Sequence, residues 1–83
     1  MIVTDYVKQL QGKNRYELMN VNGVFLPDGR ALVADVYDDY VIFNLLEDNN
    51  DRATALLMLS IDALNNRDAD SIAQRIDDEL AKH

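Results

Sequence analysis

Between Arg30 and Leu46 apolar side chains fall at every second position on both sides of an Asp38-Asp39 pair. A period of two is the mark of a strand with one buried face, and few arrangements other than a hairpin satisfy it twice in succession. If Arg30 to Tyr37 runs out and Tyr40 to Leu46 returns across a two-residue turn, the register follows. Val36 faces Val41, Ala34 faces Phe43 and Leu32 faces Leu45, so one face of the pair is wholly apolar. The other face carries Val33, Asp35, Tyr37, Tyr40, Ile42 and Asn44. A slip of one residue would turn the apolar row to water, so the pattern specifies the register strongly. The weak point is the turn, because Asp-Asp lacks the glycine that a tight primed turn prefers.

The flanking segments read as helices and short strands. Val3, Tyr6, Val7 and Leu10 have the spacing of a helix over residues 3–11, with Thr4 as N-cap and Gly12 as the stop. Residues 14–21 carry two conflicting signals. Asn14 followed by Glu17 resembles a capping box, while Tyr16, Leu18 and Asn20 alternate with their neighbours up to an Asn22-Gly23 turn. The alternation favours a strand here. Val24 to Leu26 forms a short strand ended by Pro27-Asp28-Gly29, where Pro presets the turn and Gly takes the positive φ that follows.

Beyond the hairpin, Glu47 to Asp51 is expected to open a helix, with Asn49 or Asn50 as cap and Asp51 in its first turn. Residues 52–65 are apolar almost all round, which predicts a central or partner-covered helix broken at Asn65-Asn66. Asp68 caps a last helix to about Lys82, with Ala69, Ile72, Ala73, Ile76 and Leu80 facing inward. On its outer side Arg75 pairs with Glu79 and Asp78 with Lys82. The expected fold is one α+β domain over residues 1–83. It has an N-terminal helix, a three- to four-stranded antiparallel β-meander, and two C-terminal helices packed on one sheet face.

Charge is concentrated on the hairpin and the stretch that follows it. Of the net charge of −7, six negative charges lie between Ala31 and Asp51, a stretch with no Lys or Arg. A localised acidic surface says more about partners than diffuse acidity does. The eight basic residues are scattered, which argues against direct binding to nucleic acid or to an anionic membrane. The chain has no cysteine, so disulfides, thiolate metal sites and Cys nucleophiles are excluded together. Cysteine absence in so small a domain favours the cytoplasm. The N-terminal residues MIVTDYVKQLQ lack the basic and apolar regions of a signal peptide.

Reaction chemistry finds little to stand on. The only imidazole is His83, the last residue, so no cofactor or metal is expected. The oxygen-rich Glu47-Asp48-Asn49-Asn50-Asp51 run lacks the Gly and closing Glu of a calcium loop. Asp38-Asp39 and Asp77-Asp78-Glu79 are adjacent in sequence, so their carboxylates diverge. Ser60 and Ser71 have no internal His to activate them, and Ser60 is expected to bond back to its own helix. The three glycines are dispersed singly and form no phosphate cradle. Residues 50–65 and 68–82 resemble a helix-turn-helix, but the second segment would bring five acids toward DNA.

A binding surface remains. Tyr37 and Tyr40 beside Asp35, Asp38 and Asp39 give amphipathic rings framed by charge, suited to a protein partner with a basic surface. The expected function is a non-enzymatic cytoplasmic inhibitor or adaptor. Alternatives are a nucleic-acid-mimicking inhibitor of a DNA- or RNA-binding protein, and an oligomeric structural protein; a small enzyme comes last. Homodimerisation through Met58 and Leu59 is the companion expectation for the apolar segment.

Overall fold

The computed structural model describes residues 2–47 and 52–83; the expected caps Asn49 and Asn50, with Asp48 and Asp51, lie outside the described residues. The elements are α1 (Ile2–Leu10), α2 (Arg15–Leu18), β1 (Val24–Phe25), β2 (Ala31–Val36), β3 (Tyr40–Leu46), β4 (Ala53–Ser60), α3 (Ile61–Asn66) and α4 (Ala69–Leu80). The strands form one antiparallel meander in the order β1-β2-β3-β4. Helices α1 and α4 pack on each other, and α3 and α4 lie against β4. The architecture is the expected α+β arrangement, built in part from different segments.

The central hairpin has the expected register: Leu32 faces Leu45, Ala34 faces Phe43 and Val36 faces Val41. Leu32, Val41, Phe43 and Leu45 are fully buried beneath Tyr6, Val7 and Leu10 of α1 and Ile72 and Ile76 of α4. Helix α1 starts at Ile2, so Thr4 lies inside it and is not its N-cap. Its C-terminal side is closed at Gly12, whose φ of 78° is the left-handed position glycine takes without strain. Gly29 likewise has φ 90° in the turn before β2.

Two segments differ from expectation. Residues 14–21 hold a helical turn and no strand. Asn14 accepts from the Glu17 N–H at 2.9 Å while the Glu17 carboxylate accepts from the Asn14 N–H at 3.0 Å, a complete capping box. That reciprocal pair outweighs the local alternation. Asn22-Gly23 is then no hairpin turn. Gly23 is required by close approach, since a Cβ there would lie 2.7 Å from the Leu32 carbonyl oxygen and 2.5 Å from Val33 Cγ1.

The larger correction is β4, which occupies the segment expected to be a helix over residues 52–65. β3 needs a partner on its second edge, and Ala53–Ser60 supplies it. A bulge explains why no period of two was visible. Phe43 faces Leu57 but Asn44 faces Ala55, so Leu56 is an extra residue and the side-chain phase flips within the strand. Thr54, Leu57 and Leu59 consequently share the inner side with buried Leu56, while Ala53, Ala55, Met58 and Ser60 are exposed. Ser60 ends the strand and caps α3, accepting from the Ala63 N–H at 3.0 Å. Asp68 caps α4 as expected. On the outer side of α4, Lys82 pairs with Glu79 at 2.9 Å, and Asp78 accepts from Gln74.

Tyr6 ties α1 to the sheet. Its ring meets Phe43 edge-on at 6.4 Å, and its hydroxyl accepts the Ala34 N–H at 2.9 Å. β1 is too short to reach Ala34, so this N–H has no strand partner on that side. Burial pushes the Tyr6 phenol above its ordinary range, and the nearby Asp35 charge acts the same way. Tyr6→Phe is expected to lower stability by about 1–2 kcal/mol in urea unfolding, because it orphans that amide while keeping the ring.

At the β1–β2 turn Asp28 accepts from the Arg30 N–H at 3.0 Å and from Arg30 Nε at 2.8 Å. The Arg30 guanidinium, followed by its backbone N–H, holds the Asp28 carboxyl below the usual 3.8. A depressed folded pKa means its stabilisation is present above the unfolded value and lost as pH falls through the folded one. Asp28→Asn is therefore expected to flatten the acid limb of a thermal-stability profile below about pH 4 and to leave the neutral limb's slope unchanged.

Candidate functional site

The strand register puts Tyr37 and Tyr40 opposite each other on the outer side of the sheet, away from α1. The Tyr37 N–H donates to the Tyr40 carbonyl at 2.8 Å and closes the Asp38-Asp39 turn. Their rings stack at 4.9 Å with 10° between planes, and Tyr37 remains 45% exposed. The Asp39 carbonyl accepts the Ile61 N–H at 2.8 Å, which fastens the tip to the start of α3. A two-residue turn without glycine is thus supported from both sides.

The short helix α2 stands beside the tip. Asn14 caps it, and buried Leu18 anchors it to the core. This presents Arg15, Tyr16 and Met19 toward the turn. Arg15 Nη1 donates to Asp38 at 2.9 Å and Nη2 to the Tyr16 hydroxyl at 2.7 Å. The guanidinium also sits 4.7 Å from the centroid of the Tyr16 ring. Between α2 and the hairpin lies an open concavity of about 580 Å³, bordered by Arg15, Tyr16, Met19, Val36 and residues 37–40. Tyr16 is 66% exposed and Met19 63% exposed, so two further large side chains rim it.

Four of the five expected partner-binding residues, Tyr37, Asp38, Asp39 and Tyr40, converge on this concavity. Asp35 does not. It lies further along the sheet and accepts a hydrogen bond from Asn44 Nδ2. Arg15, Tyr16 and Met19 were not identified from sequence. The capping box was the available signal, since a helical turn at Arg15–Leu18 places Arg15 and Met19 one turn apart on a common side. Met58 and Leu59, the residues expected at a dimer contact, fall on opposite sides of β4. Met58 is exposed, whereas Leu59 belongs to the core.

The site offers ring surface, thioether surface and a carboxylate that is 96% exposed on its side-chain atoms even while paired. Ring and thioether surface favours apolar contact, and an exposed carboxylate favours a cation. The hydroxyls that might have acted as nucleophiles are committed to structure: Ser60 caps α3, and the Ser71 hydroxyl donates to Asp68 at 3.4 Å. Among the described residues no three His, Asp or Glu side chains come together as a metal site, and no helix is long and apolar enough to cross a membrane. No family model, curated protein or solved structure matches the chain.

The Arg15–Asp38 pair joins α2 to the tip across exposed positions, where screening by water leaves little net energy. Arg15→Ala is expected to lower stability by less than about 1 kcal/mol. Leu18→Ala, by contrast, empties a buried position and should cost about 2–5 kcal/mol. Thermal unfolding of the two variants checks the ordering, and an equal loss in both would contradict this account of how α2 is held.

Proposed function

We propose that this protein is a non-enzymatic binding module, an inhibitor or adaptor, whose hairpin tip and α2 together meet a basic surface on a protein partner. The observation that carries the reading is the stacked Tyr37–Tyr40 pair at the rim of an acidic concavity, with Tyr37 exposed, Tyr40 half-buried and the turn between them closed by a backbone hydrogen bond. Pre-ordered aromatic rings bury much area with little loss of rotamer freedom, which is why they anchor interfaces. Asp38 and Asp39 contribute attraction over distance, which speeds encounter and selects a cationic partner. Tyr16 and Met19 extend the apolar contact beyond the hairpin. Nucleic-acid mimicry draws no support from the spacing of acids, because Asp35 is turned onto Asn44 and Asp38 onto Arg15.

The test begins with the partner retained from cell extract by immobilised protein, followed by binding kinetics with the purified pair. Asp38→Asn with Asp39→Asn is expected to slow association and weaken its dependence on salt. Tyr37→Ala with Tyr40→Ala should raise Kd by about 30-fold or more through faster dissociation. If both variants keep their circular dichroism and bind as the parent does, the hairpin has no part in recognition.

A further inference from the structure

The sheet ends on one side in the long strand β4, whose outer edge has no paired strand among the described residues. Ile61 N–H points to the Asp39 carbonyl and Glu47 N–H to the Arg52 carbonyl, which sets the hydrogen-bonding phase of β4 against β3. In antiparallel pairs, residues that bond their neighbour alternate with residues whose N–H and C=O point away. With the bulge counted, the outward set is Ala53, Ala55, Met58 and Ser60. All four are exposed, and the phase of the ladder turns their N–H groups away from β3. Their spacing is even, because Ala55 and Met58 face Asn44 and Ile42, which are two apart on β3.

Proteins guard such edges with Lys, Pro, inward charge or brevity. The opposite edge is guarded: β1 has two residues and runs into Pro27. β4 is not. From Ala53 to Ile61 there is no charged side chain, no Pro and no Gly in a molecule of net charge −7. The strand itself carries no charge to repel a second copy.

The geometry points to a homodimer in which β4 of one copy pairs antiparallel with β4 of a second, joining two sheets into one. The outward positions 53, 55, 58 and 60 are symmetric about the bulge, so a two-fold axis there sets Ala55 against Met58 and Ala53 against Ser60 of the second copy. Each Ala55–Met58 pair exchanges two main-chain bonds. Ser60 commits its carbonyl to α3 as N-cap and offers only its N–H, so each outer pair makes one. With two pairs of each kind, the edge gains six bonds.

The charges flanking the strand fit the same register. Arg52 immediately precedes β4 and Asp62 lies in the first turn of α3 just after it, so antiparallel pairing brings the basic end of each strand to the acidic end of the other. A parallel pairing would place Arg52 by Arg52 and Asp62 by Asp62. Met58, 64% exposed on the open face, covers the small Ala55 of the second copy. The hairpin tip adjoins one end of this edge, since Tyr40 faces Ser60 across the β3–β4 ladder, while the central Ala55–Met58 pairs lie further along the strand.

Sedimentation of the full chain across a wide dilution range tests the inference. The parent is expected to run as a dimer that dissociates on dilution. Ala55→Pro removes an outward N–H without touching the β3 ladder, a change that edge strands tolerate. By symmetry it deletes two of the bonds and should weaken dimerisation about 30-fold. Met58→Lys places a charge on the edge and should give monomer with unchanged circular dichroism. The chain has no native cysteine, so A55C/M58C should form disulfide-linked dimers on oxidation, which reports the register directly. A parent that is monomeric at every concentration overturns the proposal. So does a dimer that persists unweakened in folded Met58→Lys or Ala55→Pro protein.

Discussion

Tyr6 holds the N-terminal helix to the sheet in two ways at once, and the rest of the molecule depends on that seating. Its ring lies edge-on to Phe43 at the centre of the inner face, and its hydroxyl takes the amide of Ala34 that β1 fails to reach. A sheet with one face that is apolar apart from Thr54 has to be covered, and a chain of 83 residues has little apolar surface to spare for the task. α1 supplies cover from one end of the sequence and α4 from the other, and the two helices pack on each other. Asn65 and Gln11 then stitch the junction. Asn65 accepts the Gly12 N–H at 2.7 Å, and Gln11 donates to the carbonyls of Leu64 and Arg67.

The parts of this fold that were legible in the sequence are those where two signals agreed. In β2 and β3, alternation on each strand pointed to the same apolar row, so the register could be read residue by residue. In α4 the cap at Asp68 and the stripe through Ile72 and Ile76 agreed as well. β4 was hidden because its bulge interrupts the period of two, and because Leu56, Leu57, Met58 and Leu59 are good helix formers. The decisive influence was a tertiary one, the unsatisfied edge of β3, which no local window contains. At Asn14–Val21 both signals were present, and the reciprocal capping bonds prevailed over a pattern of alternation with no neighbouring strand to pair with.

The candidate site divides along the same line. Tyr37, Asp38, Asp39 and Tyr40 were visible because one turn holds them together. Arg15, Tyr16 and Met19 were not, since α2 reaches the hairpin tip through space and through Leu18 in the core. Asp35 looked like part of the acidic surface, yet its carboxylate is taken up by Asn44 on the neighbouring strand. Asp35 faces Ile42, and Asn44 is its diagonal neighbour, so such a partner follows from a register only when diagonal pairs are considered as well as facing ones.

The meander order has a consequence for how the chain reaches this structure. Every strand pairs with its neighbour in sequence, so each ladder closes only a short loop, and loop entropy grows slowly from one hairpin to the next. The packing of α1 on α4 is different in kind, because it joins segments at opposite ends of the chain. The β2–β3 hairpin is thus the entropically cheap part of the arrangement and the meeting of α1 with α4 the costly part. The inner row of Leu32, Val41, Phe43 and Leu45 joins one core with residues from both of those helices. A chain that lost either end would present part of that row to its neighbours.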